Sequence, residues 1–163
     1  MFKKLFKKKP TDLAAPMSGK MISLDKVNDP VFQSRAMGDG FAIEFKSGNV
    51  YSPVDGEVVS IFPTNHAIGI KSHDYNEILI HLGLDTVNLK GKGFKSTIKK
   101  GDKVKKHDLL VEVDHDLLKS ENVDMTSPII ILNMRGRAIE LLKEGEDLEV
   151  GMEEIIRLYF PKG

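Results

Sequence analysis

Two histidines carry the chemistry this sequence could perform. His81 closes the apolar run Ile78-Leu79-Ile80 and is followed at once by Gly83 and Asp85. The run reads as a short buried strand, which needs no polar residue, so the imidazole sits where the strand gives way to a glycine turn. Neutral imidazole is nucleophilic near pH 7, its ordinary pKa being about 6.5. Such a side chain can take a phosphoryl group, take a proton or bind a metal; it can also merely cap the strand. The second histidine, His66, ends the loop Phe62-Pro63-Thr64-Asn65, ahead of a strand running to about Lys71. The polar stretch His73-Asp74-Tyr75-Asn76 separates that strand from the one ending at His81. If the two pair as a hairpin, positions equidistant from the turn face one another, and both histidines lie near the same end.

Three functions fit a histidine pair in a β pocket. One imidazole could carry a phosphoryl group while the other hydrogen-bonds its oxygens. Two histidines and a carboxylate could hold a hydrolytic metal. The third reading is a structural or binding domain in which the histidines are incidental. A catalytic zinc usually takes three protein ligands. There is no His-x-His or His-Glu-x-x-His, and a third, acidic ligand has no telling spacing.

The elements that must position this pair are bounded by composition. At 163 residues and 40% hydrophobic, the chain has length for one domain with a full core. Cysteine is absent, which excludes disulfides, thiolate zinc and a cysteine nucleophile and fits a reducing compartment. No apolar run approaches the roughly 20 residues that span a bilayer. The opening segment is basic, but no apolar stretch of a signal peptide follows it, so a cytoplasmic location is expected. The net charge of zero conceals an asymmetry. Five lysines (Lys3, Lys4, Lys7, Lys8, Lys9) fall in the first ten residues, leaving 19 basic against 24 acidic residues. A nucleic-acid binder would carry its positive charge on the folded domain. Residues 1–12 read as a tail in which Phe2, Leu5 and Phe6 share one helical face among the lysines. It is either a solubilising leader or an anchor to an anionic membrane surface, peripheral to the inner face.

Residues 13–163 read as a single domain that opens with an internal repeat. Ala15-Pro16-Met17-Ser18-Gly19 and the strand after it match Ser52-Pro53-Val54-Asp55-Gly56 and its strand, 37 positions on. Each copy is a turn feeding a β-rich segment, which predicts a duplicated β architecture. Between them, Asp29-Pro30 predicts a helix start through about Arg35. A turn at Met37–Gly40, a strand over Phe41–Phe45 and a turn at Ser47–Asn49 follow. Further on, strands are expected at Leu109–Val113 and Ile129–Leu132, a helical turn at Asp116–Ser120, a short helix at Arg137–Lys143, and a strand at Ile155–Tyr159 closing the sheet. The lysines between Lys90 and Lys106 read as a solvated face without the aromatic interleaving of a nucleic-acid site.

Two resemblances follow from quoted residues. Gly101-Asp102-Lys103-Val104 and Leu110 are similar to the pattern of lipoyl-like domains, without the modified lysine turn of those domains. Far more extensive is a resemblance to the glucose-family enzyme IIA of the bacterial phosphoenolpyruvate-dependent sugar phosphotransferase system. Its carriers are the first repeat copy, Gly38-Asp39-Gly40, Ser52–Gly56, Phe62–Ala67, Ile80–Val87, Leu89–Phe94, Ser127–Ile130 and Val150-Gly151, a span of about Ala14 to Leu158.

The resemblance implies an all-β fold: a compact antiparallel β sandwich with a duplicated hairpin (barrel-sandwich) motif and a few short helical turns. It implies that His81 is the phosphorylated nucleophile, His66 its phosphoryl-stabilising partner, and Thr64 the hydroxyl that orients the pair. The phosphoryl group would come from the histidine-containing phosphocarrier protein and leave to a cysteine on the IIB domain of a sugar permease, on another chain. No cofactor is required by this chemistry; some relatives bind zinc between the two histidines at a partner interface, and some regulate other targets. Asp39 and Asp85 match positions rimming the site and would attract a basic donor, or else cap turns. Phe41 and Phe62 could form an apolar docking surface, or belong to the core.

Overall fold

The computed structural model describes residues 9–162. The amphipathic face expected of Phe2, Leu5 and Phe6, with Lys3, Lys4, Lys7 and Lys8, lies outside the described residues. Among the described residues, thirteen strands make three antiparallel sheets. The principal sheet takes β1 (Ser18–Ile22), β2 (Asp39–Ser47), β4 (Gly56–Ile61), β5 (Ala67–Ser72), β6 (Glu77–His81), β8 (Lys103–Val104), β10 (Thr126–Ile131) and β12 (Asp147–Leu148), in the order β12-β1-β2-β10-β6-β5-β4-β8. Strands β3 (Val50–Tyr51), β9 (Leu109–Val113) and β7 (Phe94–Lys95) form a second sheet, and β11 (Ala138–Leu141) pairs with β13 (Ile156–Tyr159). Among the described residues the helices are α1 (Pro30–Gln33), α2 (His115–Ser120) and two 3-10 turns. The result is an all-β sandwich; no barrel closes among the described residues.

The duplication visible in the sequence recurs in the backbone hydrogen bonds. Ala15 N donates to Met152 O at 2.9 Å, and Ser52 N, 37 positions on, donates to Asp108 O at 2.8 Å. Likewise Gly145 N donates to Met21 O at 2.8 Å and Gly101 N to Val58 O at 2.7 Å. Ala14 N to Pro53 O and Tyr51 N to Pro16 O, both 2.9 Å, tie the copies reciprocally. A pseudo-two-fold axis therefore relates the halves, passing between β10 and β6 where Ile129 faces Ile80. It also relates the edge strands, β12 against β1 at Gly19–Leu148 and β8 against β4 at Gly56–Val104. Both edges are two residues long and carry a charge, Asp147 or Lys103, which blunts further pairing.

Strand alternation sorts the side chains into two apolar clusters. Ile78 and Ile80 of β6 face Ile70 and Ile68 of β5 within the main core. Leu79 points the other way, into a smaller cluster with Ile22, Leu24, Val27, Phe32, Ala67, Leu84 and Ile130. Period-two alternation puts His81 on that same face, outside the main core.

Several expectations need correction. The segment 137–143 is not helical: its Ala-Ile-Glu-Leu forms β11, pairing Ile139 with Leu158 and Leu141 with Ile156. Pairing with β13 overrides the helix preference of alanine, glutamate and leucine. β13 accordingly does not close the principal sheet. β2 begins at Asp39, taking in part of the expected turn, because Ile131 pairs with Asp39. The folded body takes hold at Thr11, two residues before the expected boundary. Thr11 N donates to Ile156 O at 3.0 Å and its hydroxyl accepts from Leu158 N at 2.8 Å. Lys106 does not belong to a solvated face: its side chain is 17% exposed, and its ammonium binds Asp12 and Glu153.

Candidate functional site

His81 is the last residue of β6, and the turn after it is built to hold its ring. Its Nδ1 lies 2.7 Å from Gly83 O. A carbonyl oxygen only accepts, so Nδ1 carries the proton and the lone pair is left on Nε2. Gly83 is tied in turn by its N–H to Ser127 Oγ at 3.0 Å, and Thr86 Oγ1 donates to Leu82 O at 2.6 Å. Gly83 has φ +73°, and a Cβ there would meet Thr86 Cγ2 at 2.7 Å and Asp124 O at 2.9 Å. No other residue fits this turn without moving it.

His66 closes the β4–β5 loop. Phe62 N donates to Ala67 O at 3.0 Å, Asn65 N to Phe62 O at 2.8 Å, and Asn65 takes a left-handed φ of 58°. In the β5–β6 ladder Ala67 faces His81, and Leu82 N donates to His66 O at 2.7 Å. The hairpin therefore brings the two histidines together as its register requires, with ring centroids 5.3 Å apart and planes at 77°. The Thr64 hydroxyl is hydrogen-bonded to His66 Nδ1. His66 is buried and His81 half-buried.

Each histidine also meets a phenylalanine edge-on. Phe32 lies 5.1 Å from His81 at 62°, and Phe62 lies 5.0 Å from His66 at 84°. The four rings run Phe32, His81, His66, Phe62. Burial pushes the pKa of His66 down, helped by the proximity of His81. Burial likewise lowers that of His81, against the opposing pull of the Gly83 carbonyl and the charges of Asp29 and Asp85. Both rings are thus favoured as neutral imidazoles.

His66, His81 and Thr64 are therefore in one cluster, and the remaining sequence candidates divide. Asp85 is exposed, in a left-handed turn, and acts electrostatically on His81. Asp39 is spent on Arg35 Nε at 3.0 Å and Gly40 N at 2.8 Å. The second carboxylate acting on His81 is Asp29, which the sequence shows only as a helix cap: it accepts from Val31 N at 2.9 Å and Phe32 N at 3.4 Å. Phe62 is 46% exposed at the rim, but Phe41 is fully buried in the main core and presents nothing to a partner. Val31, next to Phe32 in the chain, and Val87, two residues after Asp85, are also exposed. Phe32 and Asp29 were missed because the signal Asp29-Pro30 gives a helix start without saying what the helix packs on.

Among the described residues no three His, Cys, Asp or Glu side chains are grouped to hold a metal. The two Nε2 atoms, left over once each Nδ1 is engaged, amount to two ligands.

The chain as a whole is similar to known proteins. A family model described as "phosphoenolpyruvate-dependent sugar phosphotransferase system, EIIA 1" matches residues 11–136. The "PTS system glucose-specific EIIA component" of Halalkalibacterium halodurans is 39% identical, over 97% of this chain and 98% of that protein. The "PTS system glucose-specific EIICBA component" of Staphylococcus carnosus is 43% identical over 81% of this chain and 20% of its own length. The solved structure of glucose permease IIA from Mycoplasma capricolum superposes with a TM-score of 0.82 at 43% identity, covering 93% of this chain and 97% of that one.

Proposed function

Because the chain belongs to the EIIA 1 family of the phosphoenolpyruvate-dependent sugar phosphotransferase system, we propose that it is a phosphocarrier of sugar uptake with His81 as the phosphorylated residue. The observation that carries this reading is the hydrogen bond from His81 Nδ1 to Gly83 O, which leaves Nε2 as the nucleophile beside His66. Nε2 forms a bond to phosphorus as the donor's phosphorus–nitrogen bond breaks, its electron pair returning to the donor's imidazole. The donor is the histidine-containing phosphocarrier protein. The group then leaves to the cysteine of a permease IIB domain, the phosphorus–sulfur bond forming as the bond to Nε2 breaks. Fusion of IIA-like sequence within a relative named EIICBA supports such a neighbour. The relatives' names make glucose the first sugar to try.

His66 stabilises the charge that gathers on the phosphoryl oxygens, and Thr64 orients it. Val31, Phe62 and Val87 form the apolar docking rim, with Asp29 and Asp85 drawing a basic donor surface. Phosphoryl transfer of this kind asks for position and charge stabilisation more than for covalent help. Zinc could bind the two Nε2 atoms only with further donors from a partner chain. A metal-dependent hydrolase would need a third ligand that no described cluster supplies.

The deciding experiment incubates the chain with labelled phosphoenolpyruvate, enzyme I and the phosphocarrier protein, and maps acid-labile phosphate. Label on His81 is the expected result; label elsewhere, or none, rejects the proposal.

A further inference from the structure

His81 is fixed at one ring atom by its bond to Gly83 O. One hydrogen bond does not set the tilt of the ring; its neighbours do. Two rings meet it, His66 and Phe32. Only Phe32 carries neither proton nor charge, so its contribution can only be orientation and exclusion of water.

Phe32 is held as a fixed part. It is 6% exposed and packs in the smaller apolar cluster with Leu24, Val27, Leu79 and Leu84. Its segment, residues 23–38 between β1 and β2, is tied down beyond what a surface connection needs. Gln33 Nε2 donates to Asp25 O at 2.9 Å, Arg35 Nη1 to Asp25 Oδ1 at 2.8 Å, and Arg35 Nε to Asp39 Oδ1 at 3.0 Å. Arg35 reaches both carboxylates from a left-handed backbone, φ 61°. Phe62, by contrast, is 46% exposed and meets His66, not His81.

We propose that the 23–38 segment, acting through Phe32, is a positioning element for His81: it sets the tilt of the imidazole and shields a phosphoryl group on Nε2 from water. The proposal rests on the phosphocarrier reading. The reaction it suppresses is hydrolysis. A water oxygen bonds to phosphorus as the bond to Nε2 breaks, the electron pair returns to the ring, and the water's protons are shared between inorganic phosphate and solvent. A carrier needs this loss to be slow compared with transfer. Asp29, on the same segment, adds a fixed negative charge near the ring.

The test uses the full chain, labelled as above. The rate at which label is lost is compared for the wild type, Phe32→Leu, Phe32→Tyr, Arg35→Ala and Phe62→Leu. In the unphosphorylated proteins, nitrogen NMR reads the His81 tautomer and titration. An aromatic pair contributes about 0.5–1.5 kcal/mol beyond its area, so Phe32→Leu should shorten the phosphohistidine half-life by roughly two- to ten-fold. It should also mix the His81 tautomers, while Phe32→Tyr, which keeps the ring, restores both. Arg35→Ala, which does not touch His81, should move both readouts in the same direction; Phe62→Leu should leave the His81 tautomer alone. A folded Phe32→Leu protein with unchanged half-life and unchanged tautomer overturns the proposal. If Phe32→Leu does not fold, Arg35→Ala decides on the same readouts. If the wild type takes no label, the phosphocarrier reading fails, and the NMR comparison still decides whether Phe32 positions the ring.

Discussion

Ala67 of β5 stands directly opposite His81 of β6, and this backbone pairing, not an attraction between rings, is what brings His66 to His81. Leu82 N to His66 O, at 2.7 Å, is the next rung of the same ladder. The register is held by Ile68 against Ile80 and Ile70 against Ile78, all buried. A slip of one residue would turn those isoleucines outward and separate the histidines. The site is thus as stable as the core beneath it.

The first prediction concerns the nucleophile. His81→Gln keeps a polar side chain of similar reach and removes Nε2. Labelling from the phosphocarrier protein should be abolished while the thermal midpoint stays near that of the wild type. Normal labelling of a folded His81→Gln protein would place the phosphoryl group elsewhere.

His66→Gln should separate acceptance from delivery. The substituted chain should still take the phosphoryl group, because the His81–Gly83 bond is untouched. Transfer to the IIB acceptor should slow by about 2–4 kcal/mol in barrier, the usual cost of removing one charge-stabilising donor. Single-turnover kinetics with purified IIB read this directly, and an unchanged transfer rate would exclude His66 from the second step.

Gly83→Ala should be costly out of proportion to one methyl group. The residue sits at φ +73°, and the new Cβ would lie within 3.0 Å of Thr86 Cγ2, Asp124 O and Met125 Sδ. The backbone term alone is about 1–2 kcal/mol. Denaturant titration should show at least that loss. Because the turn must shift, the His81 Nδ1 hydrogen bond should weaken too, seen as a mixed tautomer by NMR. A neutral Gly83→Ala would mean the turn relaxes freely.

What was legible in the sequence was whatever is written locally or twice. The Pro16 and Pro53 turns announced the duplication, and the polar turn at 73–76 announced the hairpin that joins His66 to His81. What was not legible depends on packing between distant segments. Nothing local in Ala138–Leu141 says that β13 is available to pair with it. Phe41 and Phe62 are both phenylalanines beside family motifs, yet Phe41 lies in β2 in the middle of the main sheet and is fully buried, while Phe62 lies in the β4–β5 loop and is exposed. Asp39 stands in a conspicuous Gly-Asp-Gly, but Arg35, four residues earlier and left-handed, claims its carboxylate. The acids that act on His81 are Asp29 and Asp85, and Asp29 is there because α1 packs Phe32 against the imidazole.

Acidity should destabilise the fold through the histidine pair. Both pKa values lie below the ordinary 6.5, burial being the main cause. The unfolded chain therefore binds more protons than the folded chain just below pH 6.5, and stability rises with pH there. Read downward, stability is lost as pH falls from about 6.5 toward the lowered folded values. Within that same window the folded imidazoles stay neutral, so labelling should continue below pH 6.5. Urea midpoints measured from pH 7.5 to 5 should fall, and the doubly substituted His66→Gln, His81→Gln chain should show a flatter fall. An identical pH dependence in that double variant would assign the loss to other groups.

The basic tail should be dispensable for phosphotransfer in solution and should matter at a membrane. Thr11 is already pinned to Ile156 and Leu158, and Asp12 to Lys106, so a chain that starts at Thr11 keeps every described contact of the body. Its labelling and delivery rates should match those of the full chain. Five lysines close to an anionic surface would contribute up to about 1 kcal/mol each, less as salt screens them. Phe2, Leu5 and Phe6 would add apolar insertion if the segment becomes helical there. The gain would be proximity, since a carrier held at the bilayer has a raised effective concentration near a permease. Sedimentation with vesicles of anionic and of zwitterionic lipid separates the alternatives. Binding of the full chain alone, to anionic vesicles alone and weakening as salt rises, supports the anchor. Equal, negligible sedimentation of both chains on anionic vesicles at low salt leaves the tail as a solubilising leader.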